Sequence, residues 1–289
     1  MTKYTINTYI VNLKHDAQNW NNCIQSFSKH NIYPIRYDAI YGKDPISVNK
    51  FSHKLTNFSK YFSVDSVIGC GLSHLDLLQR IYQTDHNDYA LVCEDDILIK
   101  ENIQDINLEL QFIINNSPSK WDIISLYCQG FCKYNNNNMF NKSSKLLTGS
   151  TACYLVNIKN LHKIINMKLN THIDIQLHSS PKLNVYIYNK QLFTTNDSQS
   201  STTSLNTIPL YSNIHFNNLH NSSIDTLLDY NHYKIFNTNI NTKHILFLIT
   251  FCLIFYCCVY KKYKSIPLII LTIYILPILC FTCVNFIYT

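Results

Sequence analysis

The segment Leu91-Val92-Cys93-Glu94-Asp95-Asp96-Ile97-Leu98 admits few placements. Apolar residues that favour burial run directly into three adjacent carboxylates, in a chain where only 15% of residues are charged. A strand that carries these acids to its carboxyl end satisfies both demands. Successive strand side chains point to opposite faces, so Glu94 and Asp96 are expected together, with Asp95 on the other side. Two carboxylates on one face repel unless a cation lies between them. Oxygen ligands suit the hard ions Mg²⁺ and Mn²⁺, which keep coordination positions open for nucleotide phosphates. Read alone, the same residues also fit a polar strand-to-turn junction with solvated acids.

The preceding sequence reads as a β-α-β start. Tyr9-Ile10-Val11-Asn12-Leu13 is a short apolar strand, and Asp16 can cap a helix in which Ala17, Trp20, Cys23, Ile24 and Phe27 recur at helical spacing. Residues 32–37 form a second strand, which predicts a parallel sheet. Asp38-Ala39-Ile40-Tyr41-Gly42 is then a turn at the ligand edge of that sheet. Residues 43–63 read as a polar surface excursion. A helix over 66–84 buries Ile68, Leu72, Leu75 and Leu78. Gly69 and Gly71 permit close backbone approach near its start, and Ser73 and His74 fall in its first turns, where a helix N-terminus suits a phosphate. His74 is equally readable as a buried, hydrogen-bonded core histidine.

Further on, the pattern predicts helices over 106–114 and 158–167. It predicts strands over 121–126, 185–188 and 191–193, and a glycine turn leading into a strand over 148–156. His172-Ile173-Asp174-Ile175-Gln176 sets one acid among apolar neighbours, as a functional carboxylate or a helix cap.

Residues 206–243 read as a polar linker. Beyond it, 245–260 and 266–288 contain no charged residue and are separated by Lys261-Lys262-Tyr263-Lys264 and Ser265. The second run has the length of a membrane-spanning helix and the first lies near the short limit, so 244–289 is expected to form a transmembrane hairpin anchor. Pro267 costs the second helix little at its opening, whereas Pro277 kinks it. The basic loop argues for a cytoplasmic loop and a domain on the far side. The lack of a signal-peptide pattern over 1–13 argues instead for a cytoplasmic domain on a C-terminal anchor, which is the expectation adopted. The eleven cysteines follow no disulfide pattern, and Cys128 and Cys132 lack a second ligand pair at zinc-finger spacing. The lysines behind the +6 net charge are dispersed, so no nucleic-acid partner is expected.

Several blocks, taken in order, carry a resemblance. They are Ile10-Val11-Asn12-Leu13-Lys14, Ala39-Ile40-Tyr41-Gly42, Gly69-Cys70-Gly71-Leu72-Ser73-His74-Leu75, Leu91 to Asp96, Gly149 to Val156, and Ile173-Asp174. Together they resemble glycosyltransferase family 25, the lipopolysaccharide galactosyl- and glucosyltransferases and the collagen galactosyltransferases, over about 9–200. The chain departs from the family pattern at Val67-Ile68, where an acidic residue is usual, and at Gln18-Asn19-Trp20, where arginine is common.

The resemblance implies an α/β, GT-A-like nucleotide-diphospho-sugar transferase fold with a mostly parallel central sheet over 1–205. It also implies metal-dependent, inverting transfer of a hexose, galactose or glucose, from a UDP-sugar. On this reading Glu94 and Asp96 hold Mn²⁺ or Mg²⁺, and Asn12, Leu13, Gly42, Ser73 and His74 line the nucleotide-sugar pocket. Asp174 is the expected catalytic base, with Asp95 or Asp122 as substitutes. The acceptor would be a glycan, lipid-linked or protein hydroxyl, met at the membrane. The alternative is a non-catalytic membrane protein of the same fold that binds a nucleotide-sugar, glycan or protein partner.

Overall fold

In the computed structural model, which describes residues 2–127, 138–143, 150–195, 231–235 and 238–241, the chain opens with the β-α-β unit that its periodicity predicts. β1 (Ile6–Asn12) leads through α1 (Ala17–Ser28) to β2 (Ile35–Asp38), which pairs with β1 in parallel. Asp16 caps α1 by accepting from the Asn19 amide at 3.1 Å, and Cys23 and Phe27 turn its apolar face inward.

The polar excursion is more ordered than its composition predicts, because local caps replace apolar periodicity. α2 (Pro45–Lys50) starts on Asp44, which accepts from the Ile46 and Ser47 amides, and α3 (Asn57–Phe62) starts on Thr56, which accepts from Ser59. α4 (Asp65–Thr84) follows, with Leu72, Leu75, Leu78 and Ile81 buried along it. The remaining elements of this unit are β3 (Tyr89–Glu94), β4 (Ile97–Ile99), α5 (Ile106–Asn116), β5 (Ile123–Ser125), β6 (Phe140–Lys142), β7 (Cys153–Asn157), α6 (Ile173–Ser179), β8 (Val185–Tyr188) and β9 (Phe193–Thr195). The helix expected over 158–167 is instead a short 3₁₀ segment, Ile158–Lys163. Ile158, Leu161 and Ile164 recur every third residue and are all buried, the spacing a 3₁₀ turn aligns.

Seven strands form one sheet in the order β2-β1-β3-β7-β5-β8-β6. Five run in one direction, and β7 and β6 run against them, so the sheet is mixed but mostly parallel. β4 and β9 pair separately as an antiparallel ladder. Both faces of the main sheet are covered. Ala90 and Val92 of β3 join a core with Leu72, Leu75 and Tyr154. Leu91 and Cys93 join another with Phe27, Ile106 and Ile113. That two-sided burial explains the unbroken apolar run of β3 and leaves only its end for charge.

The chain divides into two units, Met1–Ser201, described above, and Thr202–Thr289. In the second unit, within the stretch read as a linker, β10 (Asn231–Ile235) and β11 (Thr238–Asn241) pair as an antiparallel hairpin. The apolar runs expected to form the membrane hairpin lie outside the described residues. Among the described residues no helix is long and apolar enough to cross a membrane.

Candidate active site

β3 ends at Glu94, whose amide donates to the Ala152 carbonyl at 2.8 Å. Asp95 and Asp96 form the turn into β4, so strand alternation stops at the first of the three acids. Strand alternation therefore does not extend from Glu94 to Asp96, although both acids act on Cys70 and Cys93. Glu94 keeps the parity of Ala90 and Val92 and faces α4, with 31% of its side chain exposed. Thr151 Oγ1 donates to Glu94 Oε1 at 3.1 Å, and His74 Nε2 lies 3.3 Å from the same oxygen. Nδ1 of His74 is 2.8 Å from the Tyr154 hydroxyl of β7.

Asp95 turns towards β1 and accepts from Asn12 Nδ2. Asn12 is held in turn: its Nδ2 also reaches the Asp16 carbonyl at 2.9 Å, and its Oδ1 accepts from Arg36. Arg36 lies over the Trp20 ring, 5.2 Å from the centroid, and donates to the Leu13 and Lys14 carbonyls. Leu13 thus contributes a backbone oxygen that already has a partner.

Asp174, in the first turn of α6, lies within electrostatic range of Glu94, while the Thr151 hydroxyl gives its hydrogen bond to Glu94. Burial, reinforced by the negative charge of Glu94, pushes Asp174 up to about 6. Burial also pushes Asp95 up to about 6, with Asp16 and Glu94 adding to it and the Asn12 hydrogen bond opposing. For Glu94, burial acts upward, but the adjacent His74 ring and the Thr151 hydroxyl hold the group below its usual range. Neighbouring carboxylates with pKa values driven apart are the usual mark of an acid–base site.

The other expected pocket residues, Gly42 and Ser73, lie where the turn after β2 meets α4. Ser73 is fully buried; its hydroxyl accepts from the Ile40 amide at 2.8 Å and donates to the Gly69 carbonyl at 2.6 Å. A Cβ on Gly69 would sit 2.7 Å from both Gly42 N and Ile40 O, and one on Gly42 would fall 1.7 Å from Asp65 O. These residues seat the 39–42 turn on α4. α4 begins at Asp65, about two turns before Ser73 and His74, so neither lies in its first turns. The Gly42 backbone packs against Asp65 at its start. His74 is at once the buried core histidine of one reading and a neighbour of the acids of the other.

Asp122, an alternative base, is buried 2.6 Å from Lys163 Nζ and accepts from the Asn184 amide at 2.8 Å. It precedes β5, which runs parallel to β3, and so sits at the sheet edge opposite Glu94. Gly149 lies outside the described residues.

Glu94 and Asp96 fit the expected hard cation in donor type, as oxygen ligands at the open end of β3. The cluster that the fold gathers among the described residues is of another kind. Cys70, one helical turn before His74, places its sulfur with a His74 nitrogen and a Glu94 oxygen, all within 4.8 Å of one another. Sequence reasoning missed Cys70, Thr151, Tyr154 and Arg36 as members of this site. Arg36 carried one signal, being one of two arginines in a lysine-dominated chain. The Cys70–His74 spacing was another. Thr151 and Tyr154 lay within the Gly149 to Val156 block that carries the family resemblance.

The family model described as Glycosyltransferase family 25 (LPS biosynthesis protein) matches residues 5–203. No curated protein matches the chain. Among solved structures, a glycosyltransferase involved in glycosylation of the major capsid of PBCV-1 is similar at 10% identity and TM-score 0.39, over 68% of this chain and 94% of that one. A protein from STIV is similar at 8% identity and TM-score 0.37, over 68% and 96%. Mouse xyloside xylosyltransferase 1 is similar at 12% identity and TM-score 0.33, over 55% and 69%.

Proposed function

The chain belongs to glycosyltransferase family 25, and from that premise we propose that the end of β3 is the reaction centre of a membrane-anchored hexosyltransferase. It moves galactose or glucose from a UDP-sugar to a glycan, lipid-linked or protein hydroxyl, with inversion at the anomeric carbon. The observation that carries this reading is the Glu94–Asp174 pair, two carboxylates within electrostatic range of each other with pKa values driven apart.

In an inverting transfer the acceptor oxygen attacks the anomeric carbon as the bond to the UDP oxygen breaks. The acceptor proton must leave on the attacking side. Asp174 takes it. A pKa of about 6 leaves this group mostly ionised at neutral pH yet more basic than an exposed carboxylate, the compromise that general-base catalysis favours. Glu94 stays ionised beside it and maintains that basicity. Asn12, held by Arg36, orients Asp95 at the same strand end. Glu94 and Asp96 would hold a divalent cation, Mn²⁺ or Mg²⁺, which would supply positive charge against the departing diphosphate. Residues 244–289 anchor the enzyme, with the catalytic unit on the cytoplasmic side.

The test is release of UDP from a panel of UDP-sugars by the full-length protein, with and without Mn²⁺. Metal-dependent release from one donor is expected. Saturable donor binding without release, with mixed acceptors present, would favour the non-catalytic binding protein, and no binding at all would reject both readings.

A further inference from the structure

We propose that Cys70, His74 and Glu94 form a binding site for a borderline divalent ion of the zinc class, clipping α4 to the end of β3. Three observations support it. The sulfur, nitrogen and oxygen ligand atoms lie within 4.8 Å of one another. His74 is fully buried, yet among the described residues its Nε2 has no well-aligned hydrogen-bond partner, although Glu94 Oε1 is only 3.3 Å away. Two ligands of one tetrahedral zinc stand roughly 3.4–3.6 Å apart, given metal–ligand bonds of about 2.0–2.3 Å. The close but misaligned approach of Nε2 to the carboxylate therefore suits a shared ion better than a hydrogen bond.

The third observation is the far side of the ring. His74 Nδ1 lies 2.8 Å from the Tyr154 hydroxyl, and with an ion bound Nδ1–H would donate to it, leaving the Nε2 lone pair for the metal beside Glu94 and Cys70. A hydrogen bond on the non-ligating nitrogen is the arrangement that orients metal-binding histidines. In that tautomer the Nε2 lone pair and the Glu94 carboxylate, 3.3 Å apart, would repel unless a cation lay between them. The donor set also selects the ion. A thiolate and an imidazole prefer zinc-class metals over Mg²⁺, which takes oxygen ligands. Glu94 and Cys70 are both partly exposed, which leaves a path for the ion to enter.

The proposal does not depend on glycosyl transfer, although it shares Glu94 with that reading. The experiment is a titration of the metal-free full-length protein with Co²⁺, followed by displacement with Zn²⁺. Absorption spectroscopy and calorimetry provide the readouts, and far-ultraviolet circular dichroism checks the fold. A thiolate-to-cobalt charge-transfer band that Zn²⁺ abolishes is expected. Cys70→Ser should remove the band, and both Cys70→Ser and Glu94→Gln should weaken Zn²⁺ binding at least about tenfold. Asp96→Ala should leave band and affinity intact even where it stops Mn²⁺-dependent UDP release, so the two readings fail separately. A band that survives in Cys70→Ser, or is lost instead in Cys93→Ser, would overturn the site, as would Zn²⁺ bound no more tightly than Mg²⁺.

Discussion

Asp174 concentrates the chemistry and its cost. Its folded pKa of about 6 lies above the model-peptide value near 3.8, so the folded protein holds a proton that the unfolded chain has released. Stability therefore falls as pH rises from about 4 to about 6, and the ionised carboxylate is a burden at neutral pH. Asp174→Asn should lower kcat by about 100-fold or more with little change in donor KM, and abolish the acid limb of the rate profile near pH 6. The same variant should be more stable at pH 7, by up to about 3 kcal/mol in urea unfolding. A large loss of donor binding with normal turnover would reject the base assignment. Thr151→Val removes a hydroxyl whose presence lowers both Glu94 and Asp174, so the acid limb should move to higher pH. Asp96→Ala should abolish Mn²⁺-dependent release of UDP while leaving the circular dichroism unchanged. The three acids were legible as a run of charge in an apolar setting. Their orientation was not, because a turn that starts at Asp95 breaks the alternation on which strand reasoning relies.

At the level of elements, the long helix and the strands were legible where burial enforces a period. α4 shows this, with an observed start one residue from the expected one. α2, α3 and the 3₁₀ segment were not, since caps and a three-residue repeat leave too short a pattern. The turn at 39–42 depends on α4 through backbone contact, which gives a prediction at this scale. Gly69→Ala gains helix propensity of about 1 kcal/mol. It also drives a methyl group into the Gly42 and Ile40 backbones at 2.7 Å, atoms that cannot swing aside. The net effect should be destabilisation of about 1–3 kcal/mol, seen as a lower urea midpoint. Gly42 and Ser73 then affect turnover through the seating of that turn.

For the molecule as a whole, the two apolar runs make a prediction independent of the site. Full-length protein expressed in cells should sediment with membranes and resist alkaline extraction, whereas a chain ending at 243 should be released. Retention of the truncated chain would reject the anchor. The sequence alone determined the α/β class, the β-α-β start, the strand that ends in acids and the family. Each follows from local periodicity, or from motifs whose order survives without knowledge of contacts. Only the tertiary structure decided that β7 runs antiparallel beside β3 and brings Thr151 and Tyr154 to Glu94 and His74. It likewise decided that Asp174 comes within electrostatic range of Glu94, while Asp122 lies at the opposite sheet edge. These placements depend on strand order and direction, which join residues about 60–100 positions apart through burial and hydrogen bonding, and no local pattern encodes such pairings.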